Sequence, residues 1–359
     1  MGACLHRYWL AQFAKFFMII QLIILVLFIF VDYLSRLDKF LSSDITLLGA
    51  FGYVLLKVPF IFVQLTPASI LLASITVFGL MNRNNELLAI RSSGISIYFL
   101  VKPAVLAGTV LAGVMFFLGE TLIPVSMAKA NFIRHTVLKQ QKNVLSAKKD
   151  IWIKSDNKLI HIAFYDPVKK SVSGVTITTM DENFSLASRI DAARGTYVDG
   201  MWVLEDIIEQ VHKEGELDYD VTLIESKVAP LDIKPEDLGA VAKKSEEMSF
   251  SELRQFVEKV AAEGYDATVY RVDLNAKLAF PFICIIMVLT GAATGMRAFV
   301  KENLPVGIAV GVVIAFLYWV MYGFCLSLGY GAILPPIVSA WTANLFFICS
   351  GLLYLIHTE

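Results

Sequence analysis

The stretch NRNNELLAIRSSGIS, residues 82–96, separates two apolar runs that are each long enough to cross a membrane. It carries the signals of a short helix. Asn84 is the expected N-cap, and Glu86 lies in the first turn, where the helix dipole favours a negative charge. Gly94 can adopt the left-handed conformation that ends a helix. A loop that only reversed the chain would need none of these signals, so the stretch predicts a helix with a function of its own.

The helix predicted over residues 84–94 has an apolar face with charged edges. Leu87 and Ile90 recur at helical spacing, with Leu88 and Arg91 beside them. Such a helix either lies on a lipid surface or fits a groove in a partner protein. Lipid-surface helices usually carry more Lys and Arg than this one does. The carboxylate at the helix start therefore favours a partner protein.

Six apolar runs are long enough to span a bilayer, which takes about 20 residues at a rise of about 1.5 Å each. The chain is 57% hydrophobic, well above the usual value for a soluble fold of 359 residues. The first run is too long for a cleaved signal peptide, so we expect it to remain as an anchor. The runs lie near residues 12–34, 53–80, 97–119, 274–296, 304–326 and 333–356.

Basic residues in the short loops predict the orientation of these spans. If six spans alternate, one side receives the larger number of Lys and Arg, which marks it as cytoplasmic. Both termini and residues 82–96 then lie in the cytoplasm. The basic residues of this side are Arg7, Lys15, Arg83, Arg91, Lys102, Arg297 and Lys301. The first loop of the opposite side holds Arg36, Lys39 and Lys57.

The polar middle of the chain predicts a mostly β domain outside the cytoplasm. DIWIKSDNKLIHIAFYD indicates two alternating strands around a turn at residues 155–157, and GTYVDGMWVLEDIIEQV indicates a hairpin around Asp199 and Gly200. Several short antiparallel strands at this spacing favour a sandwich or jelly roll. Further strands are expected at residues 172–179, 185–192 and 221–227.

The predicted order is therefore three spans, an inserted β domain and three spans. Ser249 and Glu252 form a capping box for a helix that leads back to the membrane, and Gly264 ends that helix. The fold class is an α-helical membrane protein with a jelly-roll-like β insertion. Its predicted divisions are residues 1–120 for the first three spans, 121–248 for the β domain, 249–272 for the linking helix and 273–359 for the last three spans.

Motifs for in-chain energy chemistry are absent from the sequence. It contains no GxxxxGK[ST] phosphate loop, no HExxH and no GxSxG, and its five His residues are scattered. No span carries the carboxylate pairs of a proton- or sodium-coupled transporter. We expect no catalytic residue, metal, cofactor or nucleic acid, and another chain must power any transport.

These features, taken in order, resemble the LptF/LptG family, the permease subunits of the lipopolysaccharide-export ABC transporter. FVDYL closes the first span, NELLAIRSSGIS follows the second, and LAFPF lies in the fourth. The segments from residue 248 to 282 and LGYGAILPPIVSAWTANLFF resemble LptG more than LptF. The resemblance covers nearly the whole chain, and the segments occur in the family's order.

The resemblance implies a set of partners. The helix after the second span would dock in a groove of an LptB-like cytoplasmic ATPase dimer, with Glu86 at the contact and Leu87, Ile90, Arg91 and Gly94 supporting it. The first and fifth spans would form lateral gates with a paralogous LptF-like subunit. A single-span LptC-like accessory protein and an LptA-like periplasmic bridge would complete the inner-membrane assembly.

Lipopolysaccharide would be the cargo. Its phosphates would bind the basic residues Arg36, Lys39 and Arg134, since Lys and Arg donors pair with phosphate oxygens. Membrane-interface snorkelling explains the same residues equally well. Some relatives have a basic residue where this chain has apolar Ile29. Inward positions of the β domain would form the lipid path, namely Ile160, Ile162, Trp202 and Leu204.

An alternative function remains open, in which the ATPase moves the β domain against a periplasmic partner and no lipid enters the spans. Two smaller predictions concern structure. Lys277 is expected to pair with Asp273, four residues earlier on the same helical face. Tyr318, Trp319 and Tyr322 are expected to form an aromatic belt at the membrane surface, with a role in a gate as the other possibility.

Overall fold

The structure is a computed structural model. It describes residues 2–35, 37, 47–96, 98–136, 148–155, 158–166, 171–181, 186–198, 201–212, 219–229, 244–262 and 266–356. Its helices are α1 Gly2–Ser35, α2 Leu47–Arg83, α3 Glu86–Ser92, α4 Tyr98–Thr136, α5 Phe250–Ala262, α6 Thr268–Gly295, α7 Ala298–Glu302, α8 Leu304–Tyr330 and α9 Pro336–Ile356. A short 3-10 turn, Ser245–Glu247, precedes α5.

Six of the described helices are long and apolar enough to cross a membrane, namely α1, α2, α4, α6, α8 and α9. The six predicted spans are therefore confirmed. Two short helices, α3 and α7, connect spans at one end of the bundle, which we call the α3 end. The β strands are inserted after α4, at the opposite end, which we call the sheet end.

The centre of the bundle is the close packing of α2 against α6. Gly291 and Gly295 lie one turn apart on α6, and a Cβ atom at either would stand 2.9 Å from a carbonyl oxygen of α2. The Ser74 hydroxyl of α2 donates to the Val288 carbonyl at 3.0 Å. Small residues allow such close backbone approach in membranes, where no hydrophobic force drives helices together. These two helices fix the position of the others.

The inserted domain is a six-stranded antiparallel sheet with the order β1-β2-β3-β4-β5-β6. Its strands are β1 Lys148–Ser155, β2 Lys158–Asp166, β3 Ser171–Met180, β4 Leu186–Val198, β5 Met201–His212 and β6 Tyr219–Ala229. The inserted all-β domain is thus confirmed. Each described strand pairs with the next along the chain, so the connection is a meander, whereas the sequence favoured a sandwich or jelly roll.

One face of this sheet is buried by the sheet itself. The buried side chains of β2 to β5 pack against one another, and every member of that cluster belongs to a strand. Gly174 and Asp206 have positive φ angles of 64° and 54°. Irregularities of this kind bend a strand and increase its twist. We infer that the bends roll the sheet, so that a single layer encloses an apolar interior.

The local signals of the sequence have mixed outcomes. The capping box is confirmed, because Ser249 N donates to Glu252 Oε2 at 3.0 Å and Glu252 N donates to Ser249 Oγ at 3.1 Å. The strand predicted at 185–192 and the first strand of the GTYV hairpin are one strand, β4. Gly264, Asp199 and Gly200 lie outside the described residues.

Candidate coupling and lipid-handling sites

The short helix α3 begins one residue later than predicted. Its N-cap is Asn85, with φ 59° and ψ 16°, and among the described residues no side-chain hydrogen bond caps it. The predicted cap, Asn84, instead donates from Nδ2 to Glu86 Oε1 at 3.3 Å. Gly94 has a φ of +76° and donates its N–H to the Arg91 carbonyl at 3.0 Å, which confirms its role as the helix stop.

The apolar face of α3 points into the chain itself. Leu87 is 4% exposed within the core of the bundle, and Ile90 packs against the same core. Leu88 is 61% exposed, and Arg91 is exposed on the same outward side. Leu87 and Ile90 therefore anchor the helix. Leu88 and Arg91 belong to the outward surface that another protein could contact.

The start of α1 lies against Glu86, at the beginning of α3, and against Phe99, at the beginning of α4. His6 Nε2 is 3.1 Å from the Phe99 carbonyl oxygen, and the two rings stack with centroids 4.3 Å apart. The Tyr8 hydroxyl interacts with the Glu86 carboxylate. Trp9 is fully buried and stacks on Phe13. The position of α3 is consequently linked to α1 as well as to its neighbours in sequence.

The remaining elements of the α3 end are also tied together. Asn82 Nδ2 donates to the carbonyls of Met296 and Arg297, at 2.9 and 3.2 Å. The Arg297 guanidinium donates to the Tyr354 carbonyl at 3.2 Å and lies 3.9 Å from the centroid of its ring. These contacts join the ends of α2, α6 and α9, so α3 follows directly on a set of helix ends that are bonded to one another.

At the sheet end, the structure describes no side chain of the three predicted phosphate ligands. Arg36 and Lys39 lie outside the described residues, and for Arg134 the structure describes the backbone in α4 but not the side chain. Lys57 was assigned to a loop, but it lies within α2 and its Nζ donates to both carboxylate oxygens of Asp32 at 2.9 and 2.8 Å. That assignment was wrong.

The ion pair of Asp32 and Lys57 is largely shielded from solvent, with side chains 11% and 14% exposed. A charge within an apolar run requires a partner, because burying an unpaired charge is very unfavourable. The sequence contains a signal for it, since each residue is a charged group within or beside an otherwise apolar stretch. Because the two residues are 25 positions apart and belong to different helices, the sequence alone did not show that they form an ion pair.

The four predicted lining residues of the β domain come together on one face. Ile160 and Ile162 of β2 are 2% and 1% exposed, and Trp202 and Leu204 of β5 are each 1% exposed. All four belong to the cluster inside the rolled sheet. The next residue of β2, His161, lies under the exposed Trp152 ring at a centroid distance of 4.3 Å. The alternation of inward and outward side chains is therefore confirmed.

Two exposed apolar surfaces run along the sides of the bundle. Of the six described spans, α1 and α8 have the smallest buried share. Large apolar side chains of α1 form an exposed face along this helix. This face includes Leu22, Ile23, Val26, Leu27 and Phe30. In a membrane, either surface can meet lipid or another helix.

Two other predictions were wrong. Tyr318 and Tyr322 are buried, 0% and 6% exposed, and the Tyr318 hydroxyl donates to Asn344 Oδ1 at 2.8 Å. They are core residues of the bundle, so they do not form a belt. Lys277 forms no direct ion pair with Asp273: it donates to the Met248 carbonyl at 2.7 Å, whereas Asp273 accepts from the Tyr330 hydroxyl at 2.6 Å. The two charges still interact through space.

Within the described part of the chain, no three His, Cys, Asp or Glu side chains come close enough to hold a metal ion. The free cysteines are Cys4 and Cys349, which are exposed, and Cys284 and Cys325, which are buried. The polar contacts that stand out are those that join helices to one another.

Comparison with known proteins gives a consistent set of matches. The family model "Lipopolysaccharide export system permease LptF/LptG" matches residues 7–357. The chain is 24% identical over 332 residues to the "Lipopolysaccharide export system permease protein LptG" of Escherichia coli K12, covering 90% of each chain. It is also 24% identical over 288 residues to the protein of that name from Haemophilus influenzae, covering 79% of this chain and 78% of the relative.

Proposed function

We propose that this chain, which belongs to the lipopolysaccharide export system permease family LptF/LptG, extracts lipopolysaccharide from the inner membrane and passes it to a periplasmic bridge protein. A member of this family is a permease subunit of an ABC transporter and not its catalytic subunit. The family and the six apolar helices together indicate a multi-pass inner membrane protein. A separate ATPase dimer would supply the energy.

The observation that carries the proposal is the construction of α3, which we call the coupling helix. Leu87 fixes it to the core, while Leu88 and Arg91 face outward and Glu86 stands in the first turn. A helix anchored on one side and exposed on the other suits the groove of a partner protein. We assign the α3 end and both termini to the cytoplasm, where the ATPase would bind this outward side, with Glu86 facing a basic contact.

We assign the exposed sides of α1 and α8 to the contact with a paralogous permease subunit. In that arrangement both spans border a space between the two subunits, which lipid acyl chains would enter from the outer leaflet. The exposed apolar face of α1 can pack against either acyl chains or a helix of the partner. A single-span accessory protein would also contact this membrane region.

At the periplasmic side, Arg36, Lys39 and Arg134 would bind the lipid phosphates. Lys57 is a weaker candidate, because the Asp32 carboxylate already holds its ammonium group. Ile29 is apolar and packs against a small cluster that includes Tyr53 and Val54, so it supplies no charge to this rim. The rolled sheet, which we assign to the periplasm, would receive the acyl chains in its interior, against Ile160, Ile162, Trp202 and Leu204.

The second candidate function is force transmission without lipid passage. The packed interior of the sheet favours force transmission, because the lining side chains already fill the space between them. Lipid passage requires them to separate. The two functions differ in one observable: transport requires lipid crosslinks at the periplasmic rim, for example at position 36, and pure force transmission gives none.

Copurification from native membranes tests the assembly. A tagged chain should bring down an ATPase, a paralogous permease and a single-span protein in fixed ratio, together with lipopolysaccharide. Recovery of the intact chain from gentle detergent with no ATPase, under conditions that preserve a known ABC complex, would overturn the proposal.

A further inference from the structure

The chain returns from the sheet to the membrane along residues 244–262, and side chains of two spans hold this segment. It consists of the 3-10 turn Ser245–Glu247 and the helix α5. The segment lies between the ends of α4 and α6 at the sheet end. Among the described residues, the contacts that hold this segment come from α4 and α6 and not from the sheet interior assigned above, and the sequence analysis did not predict them.

Glu120 of α4 holds the start of α5. Its Oε2 accepts from the Phe250 N–H at 2.6 Å, and its Oε1 accepts from the Ser251 hydroxyl at 3.0 Å and from the Ser251 N–H at 3.3 Å. The first N–H groups of a helix have no partner within the helix, and a carboxylate there also complements the helix dipole. One side chain of a span thus satisfies the N-terminus of a helix 130 residues later.

Two further side chains hold the residues just before α5. Asn131, in the last two turns of α4, donates from Nδ2 to Glu247 Oε1 at 2.6 Å. Lys277 of α6 donates to the Met248 carbonyl at 2.7 Å. Asn131 is buried, at 6% exposed, as is Met248 at 3%. These two contacts place the turn between α4 and α6, so the segment is attached to both spans.

The surroundings of Lys277 show that it serves this attachment and is not a free phosphate ligand. The carboxylates of Glu120, Asp273, Glu246 and Glu252 all interact with its ammonium group. An anionic head group would meet repulsion from these four groups. Apolar contacts complete the attachment, because Met248, Leu253 and Phe256 pack with Tyr270 and Leu274 near the start of α6.

We propose that Glu120, Asn131 and Lys277 form a clamp that carries movements of α4 and α6 to the segment leading from the β domain. They are positioning residues for the passage of lipid from the spans to the sheet. This inference rests on the proposed function. Three contacts from two helices fix both the place and the direction of α5, whereas apolar packing alone would allow it to slide. The clamp therefore links a change in angle between the two spans to the returning segment.

The test uses the assembled complex in proteoliposomes that contain lipopolysaccharide. Glu120→Gln and Lys277→Met are compared with Glu258→Gln, which changes an exposed carboxylate of the same α5 that pairs with the exposed Arg254 at 3.2 Å. Photocrosslinkers report lipid at Leu34, exposed near the end of α1, and at Ile162 inside the sheet. ATP turnover and amide hydrogen exchange of residues 249–253 are measured in parallel.

The clamp variants should exchange these amides about tenfold faster, which is the scale expected for losing a hydrogen bond to a charged group. Lipid crosslinked at Ile162 per ATP hydrolysed should fall severalfold, while ATP turnover and lipid at Leu34 stay at the unmodified level. Glu258→Gln should change none of these values. Should a clamp variant fail to assemble, Ser251→Ala removes one donor to Glu120 and should give a smaller change in the same direction.

Unchanged exchange in the variants would show that the contacts do not hold the segment. Faster exchange with unchanged lipid at Ile162 per ATP would show that the clamp is only an anchor, and either result overturns the inference. A proportional fall of lipid at Leu34 and Ile162 would also overturn it, because the loss would then precede the clamp. Absence of lipid at both positions in the unmodified complex would instead refute the proposed transport function.

Discussion

Leu87 and Leu88 provide a matched test of how the coupling helix works, since adjacent leucines face opposite ways. Leu87 is 4% exposed and Leu88 is 61% exposed. We predict that Leu87→Ala destabilises the bundle and that Leu88→Ala weakens the ATPase contact. The two variants remove the same atoms, so their difference reports only on the direction of each side chain.

The magnitudes follow from burial. A buried Leu→Ala change costs about 2–5 kcal/mol, from lost transfer free energy and the cavity left behind. An exposed substitution usually stays within about 0.5 kcal/mol. Truncating a side chain at the centre of a protein interface removes more than about 1 kcal/mol of binding free energy, so the ATPase affinity should fall roughly fivefold to thirtyfold for Leu88→Ala.

The assay combines thermal unfolding of the purified permease in detergent with titration of the ATPase onto it. Leu87→Ala should unfold at a lower temperature and, in its folded fraction, bind the ATPase almost normally. Leu88→Ala should unfold like the unmodified chain and bind weakly. The reverse pattern, or full ATPase affinity in Leu88→Ala, would refute the assignment of the outward face.

Three further predictions concern charged groups. Glu86→Lys should abolish copurification of the ATPase, because it opposes both the helix dipole and a basic contact on the partner; an intact complex with normal lipid release would contradict this. Burial raises the pKa of Glu247, despite the hydrogen bond from Asn131. Protonated Glu247 therefore stabilises the fold fully below the ordinary pKa of 4.5, and this stabilisation is lost as the pH rises through the raised pKa. In unfolding scans across mildly acidic pH, the Glu247→Gln variant should not show this loss of stability. Arg36→Glu with Lys39→Glu should lower crosslinked lipopolysaccharide per assembled complex, since each charge-assisted hydrogen bond is worth about 1.5–3 kcal/mol, whereas snorkelling predicts an unchanged ratio.

Features that depend on neighbouring residues could be predicted from the sequence. The spans follow from uninterrupted apolar runs, and the capping box of Ser249 and Glu252 follows from a spacing of three residues. The inward positions of β2 and β5 follow from strict alternation, which a sheet with one buried face requires. Each of these signals is complete within a single element.

The face of α3 that meets a partner could not be predicted in this way. Helical spacing identifies Leu87 and Ile90 as an apolar face but does not say whether that face meets the chain's own core or another protein. The structure shows the core. Leu88 was recognised as a neighbour of these residues, but the spacing could not show that it faces outward.

Contacts between distant residues were missed for a related reason. Asp32 and Lys57 are each unusual in an apolar region, but only the packing of α1 on α2 brings them within 2.8 Å. The contact between Glu120 and Phe250 joins elements on either side of the whole β domain. Tyr318 and Tyr322 resemble interface residues by type, yet both lie within α8, several residues from its end, and are buried in the bundle.

The most direct test of lipid passage compares photocrosslinkers at Ile162 and His161 in the reconstituted complex. Ile162 is 1% exposed inside the rolled sheet, and His161 stacks with Trp152 on the outer face. The account predicts that ATP produces lipopolysaccharide crosslinks at Ile162 and not at His161. Equal labelling at both positions, or none at Ile162 in a complex that hydrolyses ATP and releases lipid, would contradict it.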